Sequence, residues 1–192
     1  MINEFFQNIE QVLSNILNSI RTENTDGLES AESIISKTSL QVKSYQLSDQ
    51  NIVKNSPVCN GTVKRDLINR LEKILFNLSR LINLFKEKAN KHILFSEKAI
   101  GELEYLIKTI KHLSRCLKDA TITKNEVLTK YIIDTANSLE NTAANFAVEH
   151  EERLLSGVCQ SQSSAVFIDL LNTIKENSYH FKEMGRQISC FR

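Results

Sequence analysis

Glycine and proline are almost missing from this chain. Its 192 residues hold five glycines, one proline and no tryptophan. All-β domains need many turns, and turns draw on Gly and Pro, so this scarcity excludes a sandwich or barrel and suits long helices with few links. There is no excess of either charge: Lys+Arg 24 stand against Asp+Glu 23. Such balance provides no global field for nucleic acid or an acidic bilayer, and no basic stripe with interleaved aromatics is present. No apolar run approaches the roughly 20 residues of a spanning helix, so direct membrane insertion is not expected. The N-terminal segment is polar and acidic, so no secretory leader is expected.

The four cysteines, Cys59, Cys116, Cys159 and Cys190, form no CxxC pair. A structural zinc site therefore has little support. They are read as reduced thiols that mostly fill space.

What is present is helical periodicity. Phe5, Ile9, Val12, Ile16 and Ile20 recur at spacings of three and four over about 2–22, which makes one wide apolar stripe. A second helix, about 26–50, carries Leu28, Ala31, Ile34, Ile35, Leu40, Val42 and Leu47 less cleanly. Residues 51–62, with the only proline, are expected to connect. A third helix over about 63–91 has Leu67, Leu71, Ile74, Leu78, Leu81 and Phe85 as its seam. The fourth, about 95–119, carries Phe95, Ala99, Leu103, Leu106, Ile110, Leu113 and Leu117. The fifth is expected to open on a Thr123/Glu126 capping box. Its stripe runs through Val127, Tyr131, Ile132, Leu139, Ala143 and Phe146 towards Leu155, and Ser156-Gly157 ends it. The sixth covers about 163–190. The expected fold class is all-α: an antiparallel bundle of six helices.

The halves echo each other. DLINRLEKI (Asp66–Ile74) lies over DLLNTIKEN (Asp169–Asn177), Val58-Cys59 over Val158-Cys159, and Ile34-Ile35 over Ile132-Ile133. Three echoes in one order argue for a single domain of two tandem three-helix repeats, about 1–92 and 93–192.

A tandem three-helix unit of this length resembles the PhoU family of phosphate regulators. The second half is more specific. His150, Arg153-Leu154, Gly157, Cys159 and Asp169-Leu170-Leu171 look like the pattern of the PhoU-like domain at the cytoplasmic C-terminus of bacterial sodium/phosphate cotransporters. The resemblance implies a non-enzymatic regulatory or accessory role in phosphate transport, at the inner face of the plasma membrane, with a membrane phosphate transporter as partner in cis or in trans and a homodimer as a further possibility. In the cotransporter-type reading, Met1 would not be the native start of the polypeptide. The alternatives are a free-standing PhoU-like phosphate-signalling regulator, a metal-binding helical protein or enzyme with a reorganised carboxylate site, and a plain structural bundle.

PhoU proteins carry Glu-x-x-x-Asp on the third helix of each half, followed by His. Carboxylates four apart share a helix face and offer hard oxygen ligands to a divalent or ferric ion. Placed on that pattern, the first half has Glu72, Phe76 and Asn77, and the second has Lys175, Tyr179 and His180. The repeat alignment pairs the same residues. Three of four motif carboxylates are thus replaced, two of them by aromatics, which suits a packed or stacked patch rather than a metal cluster. No cofactor is expected; Glu72, Glu176 and His180 are the only weak metal candidates, and Phe76 and Tyr179 should occupy equivalent positions on the two central helices.

Nothing else assembles catalytic chemistry. His150-Glu151 in EHEER lacks the second histidine of a zinc helix, and a solvated helix face is expected there. His92 and His112 stand beside lysines and are expected to be exposed. SQSS (Ser161–Ser164) reads as a turn and cap, without a nucleophile elbow, and no glycine-rich phosphate loop exists. In NSYH, within DLLNTIKENSYHF, polar residues appear where the apolar face of the sixth helix should continue. That stretch is the sequence's sharpest anomaly.

Overall fold

The computed structural model describes residues 2–22, 24–50, 58–157 and 160–190. Six helices follow in order: α1 (Ile2–Ser19), α2 (Asp26–Gln50), α3 (Val58–Asn90), α4 (Glu97–Thr123), α5 (Glu126–Leu155) and α6 (Ser161–Cys190). No strand occurs among the described residues. The apolar stripes drive the assembly. Phe5, Ile9, Val12 and Ile16 of α1, the α3 seam from Leu71 to Phe85, the α4 stripe from Ala99 to Leu117, and Leu170, Leu171 and Ile174 of α6 are all buried in one core.

Side-chain pairs fix the direction of each helix. Asn8 donates to Thr38 and Gln41 donates to Glu4, so α1 and α2 are antiparallel. Arg115 reaches Glu10 while Arg21 reaches Glu97 and Glu104, which makes α1 and α4 antiparallel. Lys98 pairs with Glu149, and His112 meets Tyr131, so α4 and α5 are antiparallel as well. On α5 and α6, Ser164 lies opposite His150, Ser178 opposite Ala136, and Gly185 opposite Ile132. There a Cβ on Gly185 would come 3.1 Å from the Ile132 side chain, so glycine permits the close approach. Helices α1, α2 and α3 touch one another, as do α4, α5 and α6; the two sets meet where α3 packs on α6 and α1 on α4.

Helix ends differ from the sequence expectations in physically readable ways. The Thr123/Glu126 capping box does not form. Thr123 is the last residue of α4, and its hydroxyl donates to the Asp119 carbonyl. Lys124 takes a left-handed φ of 54°, and Asn125 caps α5 by accepting from the amides of Val127 and Leu128. Asn is among the best residues for satisfying those orphan donors. Helix α3 begins at Val58, so residues 58–62 are helical rather than a connection; a proline immediately ahead of a helix costs little, because the first amides lack intrahelical partners anyway. Helices α4 and α6 are likewise longer than expected at Thr123 and Ser161, and α1 stops at Ser19. Gly157, with φ 74°, follows α5 as expected. Leu40 of α2 and Val127 and Tyr131 of α5 are exposed rather than in the core stripe. Leu47, Cys59, Cys159 and Cys190, and with them the Val-Cys echo, lie outside the residues whose side chains are described.

Candidate functional site on the third and sixth helices

Helices α3 and α6 run antiparallel in a definite register. Asp66 lies opposite Gln187, Arg70 opposite Glu183, and Arg80 opposite Asp169 and Glu176. This register brings Phe76 and Asn77 to the level of Glu176, Tyr179 and His180. Together with Lys73 they line one cleft of about 340 Å³. The two aromatics at the motif positions thus share a surface feature.

The polar stretch NSYH divides by helix geometry. Asn177 and Ser178 face inward and are fully buried. The Ser178 hydroxyl donates to the Ala136 carbonyl at 3.0 Å, tying α6 to α5. Asn177 has no hydrogen-bond partner among the described residues for either its amide oxygen or its amide nitrogen. Tyr179 and His180 face the cleft. Tyr179 is 44% exposed, with the Arg70 guanidinium 5.6 Å and the Lys182 ammonium 5.5 Å from its ring centre, within cation–π range. Lys182 is held in place by both oxygens of Glu140 and by Asn137. His180 packs edge-on against Tyr179, and its Nδ1 lies 3.4 Å from an Arg70 nitrogen. Because Arg70 can only donate, that Nδ1 is an acceptor. Burial, and then the nearby Arg70 and Lys73 cations, push the His180 pKa down, so the ring favours its neutral form.

The remaining motif residues do not converge on a metal site. Glu72 lines a second cleft, of about 580 Å³, between α2 and α3. Phe76 borders both clefts and stands between Glu72 and the Glu176–His180 pair. Glu176 lies 3.8 Å from Arg80. Lys175, at the position of a motif carboxylate, brings a cation. Among the described residues, no three His, Cys, Asp or Glu side chains gather where they could hold an ion. The donor set therefore does not fit the family's metal cluster.

A buried polar cluster near the other end of α6 is absent from the sequence expectations. His150 is 2% exposed, not on a solvated face. Its ring stacks on Phe167 at 4.4 Å, and Nε2 meets the Ser164 hydroxyl at 2.9 Å. That hydroxyl already donates to the Gln160 carbonyl, so Nε2–H must be the donor to it. The lone pair on Nδ1 then faces Arg153 at 3.4 Å. Arg153 in turn grips Glu102 with two bonds, of 3.0 and 2.8 Å. Burial first, and then the Arg153 charge, depress the His150 pKa. Periodicity does carry a signal for both residues. Glu102 lies three residues after Ala99 and four before Leu106, and His150 lies seven after Ala143, so each falls on its helix's buried face.

The other singled-out residues are ordinary. Ser161–Ser164 form the first turn of α6, with the Ser163 and Ser164 hydroxyls donating back to Gln160. His92 is exposed with φ 50° between α3 and α4. His112 is exposed beside the Tyr131 hydroxyl, 3.0 Å away. Cys116 is a buried free thiol whose pKa is pushed up by burial.

No protein-family model matches the chain, and no curated protein matches it. Among solved structures, the crystal structure of PhoU from Pseudomonas aeruginosa is similar, with a TM-score of 0.70 at 12% identity, covering 97% of this chain and 91% of that one. An identity so low speaks to architecture only. The chain has a PhoU-like fold: an all-α bundle of six helices.

Proposed function

We propose that this protein is a non-enzymatic regulator of phosphate transport and phosphate signalling that works by protein–protein contact. The observation that carries this reading is the superposition of nearly the whole chain on a PhoU bundle. Since the match is to PhoU itself, a regulator acting in trans on a membrane phosphate transporter is favoured over the cytosolic part of a sodium/phosphate cotransporter-type protein. No helix among the described residues is long and apolar enough to cross a membrane, so the transporter would supply the membrane anchorage and this bundle the cytoplasmic contact surface. Contact is favoured over metal chemistry because aromatics and a lysine stand at three of four motif carboxylate positions. A regulator of this kind acts by binding one transporter conformation more tightly than another. Deleting the gene and following phosphate uptake and starvation-gene expression tests the proposal. Loss of their response to external phosphate is expected; a deletion strain responding like its parent would overturn the reading.

A further inference from the structure

The cleft between α3 and α6 holds polar and aromatic groups that nothing in the chain uses. Lys73, Phe76 and Asn77 stand three and four residues apart on α3 and share one helix face. They line the cleft against Tyr179 and His180 of α6. Asn77 is 3% exposed, yet its amide has no hydrogen-bond partner among the described residues. Unlike the sealed amide of Asn177, it opens onto the cleft. Phe76 is 65% exposed, and no ring or cation contact covers it among the described residues. Across the cleft, Tyr179 is held by Arg70 and Lys182 at its ring, which makes that wall firm. The volume, about 340 Å³, is at the small end of the roughly 300–1,000 Å³ of small-molecule sites.

The charges leave one cation over. Arg70 faces Glu183 at 3.6 Å, Glu176 faces Arg80 at 3.8 Å, and Lys182 is bound to Glu140. Lys73 has no ion-pair partner among the described residues. Each unused group matches one part of a ligand. The open phenyl face suits a planar ring, since bases stack on aromatic side chains. A carboxamide with donor and acceptor both free fits the N6/N7 edge of adenine. Lys73 lies one helical turn from Asn77, about 5.4 Å along the axis, and offers its charge to a phosphate. A ribose spans a comparable gap between a base and its 5′-phosphate. Inorganic phosphate would leave Phe76 and Asn77 idle, and a neutral nucleoside would leave Lys73 idle.

We propose that the α3–α6 cleft binds an adenine mononucleotide, with the base on Phe76, its N6/N7 edge on Asn77 and its 5′-phosphate on Lys73. Isothermal titration calorimetry on the purified full chain tests it, with AMP, adenosine, CMP and inorganic phosphate as separate probes. One AMP should bind per chain, and each of the other three should bind about tenfold more weakly or worse. Phe76→Ala should weaken AMP about tenfold. Lys73→Met should bring AMP down to the affinity of adenosine and leave adenosine unchanged. Asn77→Leu should erase the preference for AMP over CMP. Tyr105→Ala, on α4 away from the cleft, should change nothing. Circular dichroism checks folding; Lys73 and Phe76 are exposed, so their variants keep the core intact. No binding of AMP up to millimolar concentration would overturn the proposal. So would inorganic phosphate binding as tightly as AMP, or AMP affinity untouched by Phe76→Ala and Lys73→Met. An Asn77→Leu chain that still prefers AMP to CMP would also overturn it. Binding to the purified chain is independent of the phosphate reading, which is tested in cells.

Discussion

Replacing Asn177 with leucine should make the protein more stable. The amide is fully buried, and neither of its polar atoms has a partner among the described residues. Leaving such a group unpaired costs about 1–3 kcal/mol. Leucine has the same branched outline as asparagine, but its methyls are bulkier than the amide atoms, and modest overpacking takes back about 1 kcal/mol. A net gain of up to about 2 kcal/mol follows, or as much as roughly 4–8 °C in melting temperature for a domain of this size. The first half supplies the comparison. Ile74 aligns with Asn177 in the repeat, is fully buried, and is simply core. Ile74→Asn should therefore destabilise by about 3 kcal/mol or more, through lost apolar burial and an added unpaired amide. Urea unfolding with an unchanged denaturant slope is the assay. If Asn177→Leu loses more than about 1 kcal/mol, the amide is paired in solution and the assignment of Asn177 as an uncompensated core residue is wrong.

Acid should weaken the fold through its histidines. His150 and His180 both have folded pKa values below the usual 6.5, so as pH falls through about 6.5 the unfolded chain takes up protons first. Stability is then full above about pH 6.5, declines below it, and levels off beneath the folded values; His150→Gln should flatten part of that decline in urea midpoints measured against pH. Glu102→Gln should cost about 3 kcal/mol, because it leaves the largely buried Arg153 guanidinium without its bidentate partner. The double change Glu102→Leu with Arg153→Met should cost far less than the sum of the two single changes, as a double-mutant cycle would show.

The helices were legible because buried stripes at spacings of three and four leave little freedom: the seams of α1, α3 and α4 lie in the core, with only Leu67 and Phe95 at their ends partly buried against it. Boundaries were less legible. Asn125 rather than Thr123 caps α5, because the two residues flanking Lys124 could both accept from amides and only the backbone turn at Lys124 decides between them. Leu40 and Phe76 illustrate a different limit. Leu40 sits within an apolar pattern and is nevertheless exposed, since three-helix packing covers only part of α2. The shared surface of Phe76 and Tyr179 was readable from the repeat alignment, because equivalent positions on two antiparallel central helices face the same groove. The pairing within the His150–Arg153–Glu102 cluster was not: periodicity puts Glu102 and His150 on buried faces, but the cluster joins α4, α5 and α6 through side chains that composition labels as surface. Charged residues so placed are buried only when paired, and the partner of Glu102 lies 51 residues away.

The central claim is regulation by contact without a metal at the motif face. It is tested most directly by phosphate uptake in a deletion strain carrying either the wild-type gene or one with Glu72→Gln, Glu176→Gln and His180→Gln together. The account predicts that both genes restore the response of uptake to external phosphate. Restoration by the wild type and failure by a stably folded triple variant would contradict it.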